Sequence, residues 1–112
     1  MPNSTTRTYS RYTRDATALL GKLIRLGRKE RRLTAQDLAD RAGISRGTLQ
    51  RIEKGDLKCE LGIVFEVAAL VGVKLFDADS QDLKTLIDRT EDKIALLPKS
   101  IHNSPKAVDD DF

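Results

Sequence analysis

Apolar residues recur at spacings of three and four along most of this chain, and Ser, Thr, Asp, Gly or Pro break the runs apart. That period belongs to helices with one buried face. Ala16, Leu20, Leu23, Ile24 and Gly27 form the first stripe and predict a helix over residues 13–31. Thr13 is its expected N-cap, with Asp15 in the first turn where the helix dipole favours an anion. Thr34 and Asp37 stand at capping-box spacing and open a helix over residues 35–42, with Leu38, Ala39 and Ala42 facing inward. Gly43 is expected to end it in the left-handed conformation, and Ile44 to fill the turn. Ser45 then caps a third helix over residues 45–54, in which Leu49 and Ile52 point inward, and Gly55 and Asp56 close it. The run from Leu61 to Val71 is almost uniformly apolar, so the helix it predicts should be buried on most sides before Gly72 stops it. Val73 to Phe76 reads as a loop or one brief strand. Leu83, Ile87, Ile94 and Leu97 follow a seven-residue repeat interrupted by Thr90, which predicts a fifth helix over residues 80–97.

Outside these helices the chain is polar. Residues 1–12 read as a flexible basic arm and residues 98–112, with Pro98, Pro105 and the run Asp109–Asp110–Asp111–Phe112, as a disordered acidic tail. No internal repeat is visible, and residues 13–97 are expected to form one domain. The fold class is therefore all-α, five helices with a tail at each end.

Charge sharpens this picture. Residues 1–58 hold 14 Lys/Arg against 6 Asp/Glu, whereas residues 59–112 hold 6 against 11, so a balance of +8 adjoins one of −5. A basic half beside an acidic half points to a polyanion-binding face and a separate surface that avoids it. Three Phe, two Tyr and no Trp suit small packed helices with no deep active-site cavity, and give little support to RNA stacking. No apolar run approaches the roughly 20 residues of a membrane span, and the N-terminal segment lacks an apolar signal-peptide core. The single Cys59 fits a reducing compartment, so a cytoplasmic bacterial location without membrane contact is expected. The only histidine, His102, lies in the acidic tail, and no base stands near a nucleophile. No metal-ligand cluster or phosphate-cradling glycine loop exists, so neither an enzyme, a metal nor a cofactor is expected.

The informative stretch is LTAQDLADRAGISRGTLQRIEKG. Two short helices joined by a turn containing Gly43 can lay the second across a major groove while the first lies over the backbone. Small or apolar residues are needed where those helices touch, and Ala39, Ile44, Leu49 and Ile52 supply them. Polar residues are needed at the start of the second helix. Ser45, Arg46, Gly47, Thr48, Gln50 and Arg51 are therefore the candidate base-reading set, with Gly47 bringing the backbone close. Arg46 and Arg51 suit bidentate contact with guanine O6 and N7, and Thr48 suits a thymine methyl or a phosphate. Thr34, Gln36, Lys54 and Lys58, beside two helix N-termini, are candidates for phosphate contact. Arg7, Arg11 and Arg14, with Tyr9 and Tyr12 between them, read either as an arm along the DNA or as a solvated tail.

Residues from about Leu20 to Phe76 resemble the Cro/C1-type (Xre) helix-turn-helix family, through Gln36, Leu38, Ala39, Gly43, Ser45, Leu49, Ile52, Glu53 and Gly55. The resemblance implies a five-helix bundle that binds operator DNA as a dimer, and a buried ion pair between Arg28 and Glu53. The family often has Gln where this chain has Ala35, so that phosphate contact is missing here, with Gln36 beside it as a substitute. A homodimer would set two recognition helices about 34 Å apart on a palindromic site, and Leu83, Ile87, Ile94 and Leu97 are the expected dimer or partner helix. The stretch GTLQRIEKGDLKCELGIVFEVAALVGVKLFD, with the later KIALLPK, is also similar to regulators found beside HipA-type serine/threonine kinase toxins. That resemblance implies a HipB-like antitoxin and a kinase partner. Asp109, Asp110, Asp111 and Phe112 are then candidates for docking it, as one aromatic anchor among carboxylates. A stand-alone or phage-type Xre repressor is the alternative, and a module that neutralises a kinase independently of DNA is the alternative from another class.

Overall fold

The computed structural model describes residues 7–76 and 80–101, with the backbone alone at Ser80 and Gln81. Among these residues the protein is all-helical: α1 (Arg11–Glu30), α2 (Ala35–Ala42), α3 (Arg46–Glu53), α4 (Leu61–Leu70) and α5 (Ser80–Ala95), with no strand. Two compact units divide the chain, residues 1–76 carrying α1 to α4 and residues 77–112 carrying α5. The apolar pattern alone predicts a single domain over residues 13–97. Residues 1–6 of the expected arm lie outside the described residues, as do His102, Asp109, Asp110, Asp111 and Phe112.

Capping chemistry decides where the helices begin. Ser10, not Thr13, is the N-cap of α1: its hydroxyl accepts the backbone N–H of Thr13 at 3.2 Å. Arg11 and Tyr12 are therefore the first helical residues rather than part of an arm, and no acidic residue lies in the first turn. Two Ser/Thr residues stand three apart here, and the earlier one captures the later one's N–H. The reciprocal capping box of α2 forms as its spacing predicts, with Asp37 N–H donating to Thr34 Oγ1 and Thr34 N–H to Asp37 Oδ2, each at 3.0 Å. Gly43 ends α2 at φ 71°, and Ile44 N–H turns back to the Ala39 carbonyl.

Ile24, Leu38, Ala39, Leu49, Ile52, Val67, Ala68 and Val71 form the core of the first unit, with Leu20, Ala42, Ile44, Ile63 and Val64 packed around them. α1 faces this core differently from its expected stripe. Ala16 is exposed and Leu23 is 40% exposed, while Gly21, Ile24 and Gly27 are buried. The reason is close packing. A Cβ on Gly21 would lie 2.6 Å from the Ile52 carbonyl oxygen, and one on Gly27 would lie 2.7 Å from that of Val71. The two glycines let α1 touch backbone, and the helix turns Tyr12, Leu19, Leu23 and Leu26 outward.

α4 also departs from its expected burial. Val67 and Ala68 are buried, but Leu61 is 69% exposed and Phe65 and Leu70 are partly exposed. Uniform apolarity does not define a buried side, and in this unit α4 finds neighbours on one side only. Phe65 stacks on Phe76, with ring centroids 6.1 Å apart. In the second unit, α5 stops at Ala95, two residues before the expected end. Its Leu83 is half-buried and Leu86, Ile87 and Ile94 are exposed, as is Leu97 beyond its end.

Candidate nucleic-acid interface

The turn between α2 and α3 is built from side-chain caps, and these engage some of the expected contact residues. Ser45 Oγ accepts the backbone N–H of Thr48 at 3.0 Å and donates to Thr48 Oγ1 at 2.9 Å. The Ser45 hydroxyl is thus occupied as the N-cap of α3, while Thr48 keeps its own hydroxyl proton for an outside acceptor. Arg46 and Gly47, the first two residues of α3, are exposed. A Cβ on Gly47 would meet nothing nearer than Ser45 Oγ at 3.9 Å, so packing within the chain does not require glycine there.

Gln50, Arg51 and Lys54 continue the exposed side of α3, with Lys58 exposed beyond it. Arg51 Nε lies 3.5 Å from Asp56 Oδ2. Gln50 and Lys54 line a cleft of about 240 Å³, together with Arg25 and Arg28 of α1, Ala35 of α2 and Glu53. Arg25 was not among the expected contact residues, because it stands on the first helix and outside the helix-turn-helix run. On α2, Thr34 is committed to the capping box, and the Gln36 amide donates to Asp40 Oδ1 at 2.8 Å. Gln36 therefore reaches along its own helix, with one amide N–H engaged by Asp40 and the other left for an outside acceptor. Arg7 lies over the ring of Tyr9, 5.7 Å from its centroid.

The cleft floor is the Arg28–Glu53 ion pair. Arg28 Nε donates to Glu53 Oε2 at 2.7 Å and Nη2 donates to Oε1 at 3.0 Å, a parallel two-bond pairing. Nη1 donates to the Leu33 carbonyl at 3.0 Å. The side chains are 11% and 8% exposed. The hydrogen bonding to Glu53 raises the Arg28 guanidinium above its ordinary value against the lowering effect of burial, and the Glu53 charge adds to the rise. This pair ties α1 to the last residue of α3 and to the segment leading into α2. With the Gly21 crossing, it sets the orientation of the arginine-bearing helix.

Cys59 is half-buried against the core. Among the described residues no group of His, Cys, Asp or Glu could hold a metal ion, and no helix is long and apolar enough to cross a membrane.

Residues 19–79, more than half of the chain, match a family described as a helix-turn-helix domain. The chain is also similar to a protein of Methanocaldococcus jannaschii described as an uncharacterized HTH-type transcriptional regulator. The two are 44% identical over 45 residues, which span 40% of this chain and 68% of that protein. With the α2–turn–α3 geometry and these matches together, the chain belongs to the helix-turn-helix domain family.

Proposed function

We propose that this protein is a DNA-binding transcription regulator that reads a specific operator through α3. One observation carries the reading: α3 presents Arg46, Gly47, Gln50 and Arg51 on one exposed side, while its other side is locked to α1 and α2 by Leu49, Ile52 and the Arg28–Glu53 pair. The similarity to the M. jannaschii regulator supports it. In the major groove, the Arg46 and Arg51 guanidinium groups would each take guanine O6 and N7, the Thr48 hydroxyl a nearby acceptor, and Gly47 would admit the base edges close to the backbone. Lys54 and Lys58 would hold phosphates and fix the register.

Replacing Arg46 tests this directly. On a site selected by the wild-type protein, Arg46→Ala should cost about 1–3 kcal/mol of binding and relax preference at one base pair. Equal weakening on selected and random duplexes would remove Arg46 from the base-reading set.

The reading extends to a homodimer on a palindromic site, supported by the exposed apolar positions of α5. It extends further to a HipB-like antitoxin, supported by the resemblance described above and by the acidic balance of residues 59–112. A kinase-like gene beside this one, whose product co-purifies with the chain, is the result expected of an antitoxin. Absence of such a neighbour leaves a stand-alone repressor. A kinase neutralised equally well by the Arg46→Ala/Arg51→Ala double variant would make protein binding, rather than DNA binding, the primary activity.

A further inference from the structure

We propose that Asp56 is a positioning residue for base recognition, one that holds the Arg51 guanidinium so that its paired Nη groups face the DNA. The inference rests on the reading of α3 as the DNA-reading helix. Arg51 lies in the last turn of α3, and Asp56 follows five residues later, beyond Gly55 at φ 82°. The chain reverses there, and the Asp56 backbone N–H donates to the Arg51 carbonyl at 3.0 Å. That bond brings the Asp56 side chain back beside the helix it follows. Its carboxylate is then held from two directions: Oδ1 accepts the backbone N–H of Lys58 at 2.8 Å, and Oδ2 pairs with Arg51 Nε at 3.5 Å.

The geometry separates the two edges of the guanidinium. The Nε side meets Asp56, so the end-on pair of Nη groups stays available for the O6/N7 edge of guanine. The Arg51 side chain is 59% exposed and Asp56 34%, so the pair stands in solvent and adds little to stability. Its consequence is orientation. A free arginine side chain samples many rotamers, and ordering it is part of the cost of each base contact. A carboxylate beside the DNA also repels phosphates, so it opposes binding to duplexes in which Arg51 finds no guanine. Asp56 should therefore raise discrimination rather than affinity.

The test compares sequences. Sites are first selected from a randomised duplex library with the full-length wild-type protein. Binding of wild type, Asp56→Asn, Arg51→Ala and the double variant is then measured on the selected site, on its single-base variants and on random duplex at one fixed salt concentration. Asparagine keeps an acceptor for the Lys58 N–H and removes the charge, so the turn survives; Asp56→Ser, which also keeps an acceptor, is the second variant. The expected result is that both Asp56 variants lose about 5- to 10-fold discrimination at the base pair that Arg51→Ala relaxes. Binding to random duplex should be unchanged or tighter, and the double variant should lose no more discrimination than Arg51→Ala alone. Unaltered base preference, additive losses, or equal weakening on every sequence would overturn the inference. A wild-type protein that selects no site would overturn the DNA-reading assignment itself, and this inference with it.

Discussion

Arg28 and Glu53 meet through two parallel bonds with both side chains about nine-tenths out of solvent, so each leaves the other stranded if removed. Arg28→Met or Glu53→Leu alone should cost about 3–5 kcal/mol in urea unfolding followed by helical circular dichroism. The double variant should recover much of that loss, because two apolar side chains need no partners. Single losses below the range of exposed pairs would show that the bridge is solvated. Asp37 gives a pH signature of its own. Bonding from the Thr34 backbone N–H, and then from its side chain, holds the Asp37 carboxyl below the ordinary carboxylate range. A depressed folded value stabilises the protein above the unfolded value, about 3.9, and this contribution disappears as pH falls through the folded value. Asp37→Asn should therefore be less stable than wild type near neutral pH, and the gap in urea midpoints should close in strong acid. A gap independent of pH would mean the charge on the capping box is irrelevant.

Two glycines separate packing from recognition at the level of the helix. Gly21 sits where α1 crosses the end of α3, with the Ile52 and Glu53 carbonyl oxygens 2.6 and 2.7 Å from where a Cβ would be. Gly21→Ala should destabilise the fold by about 1–3 kcal/mol, since backbone rather than a mobile side chain must give way. It should also weaken DNA binding by tilting α3. Gly47 lies on the outward side of the same helix with open space around it. Alanine there should stabilise the protein by up to about 1 kcal/mol, because glycine in a helix is the less favourable residue. If the backbone at Gly47 approaches a base edge, Gly47→Ala should nevertheless lower operator affinity. Thermal melts and binding isotherms on the two variants check both halves of this contrast, and a Gly47→Ala protein with full affinity would free that position from contact.

For the whole molecule, the exposed apolar residues bear on the proposed homodimer. In α5, Leu86, Ile87 and Ile94 are exposed, as is Leu97 just beyond it, and this apolar surface is what the proposed homodimer would cover. On the proposed homodimer, an Ile87→Lys/Ile94→Lys variant should halve the mass measured by light scattering at micromolar concentrations and lose affinity for a two-half-site operator more than for a single half-site. A wild-type chain that remains a monomer across that range would remove the homodimer. Tyr12, Leu19, Leu23 and Leu26 add an apolar strip on the outer side of α1.

The positions of α2 and α3 were legible from the amino-acid order because their determinants are local. Thr34 and Asp37, Ser45 and Thr48, and the left-handed Gly43 act over one turn, and each appears as a residue type at a fixed spacing. The start of α1 was less legible, since Ser10 and Thr13 are both competent caps and only the backbone path chooses between them. The core-facing side of α1 is legible in part: Leu20, Ile24 and Gly27 of the expected stripe meet the core, whereas Ala16 and Leu23 do not, because the apolar residues form more than one stripe and periodicity gives no weight to Gly21. Tertiary packing added Gly21, where contact with the backbone of Ile52 and Glu53 requires the absence of a side chain. The same holds at the candidate site. Arg46 and Arg51 were recognisable from their place in the motif, but the Arg51–Asp56 pair spans a chain reversal that no helical spacing rule covers. The sequence by itself determined the helices, the caps of α2 and α3 and the arginines of α3. Which side of each helix is buried, and which carboxylate stands beside which arginine, were decided only when the backbones packed, because those contacts depend on distances between segments rather than on intervals along the chain.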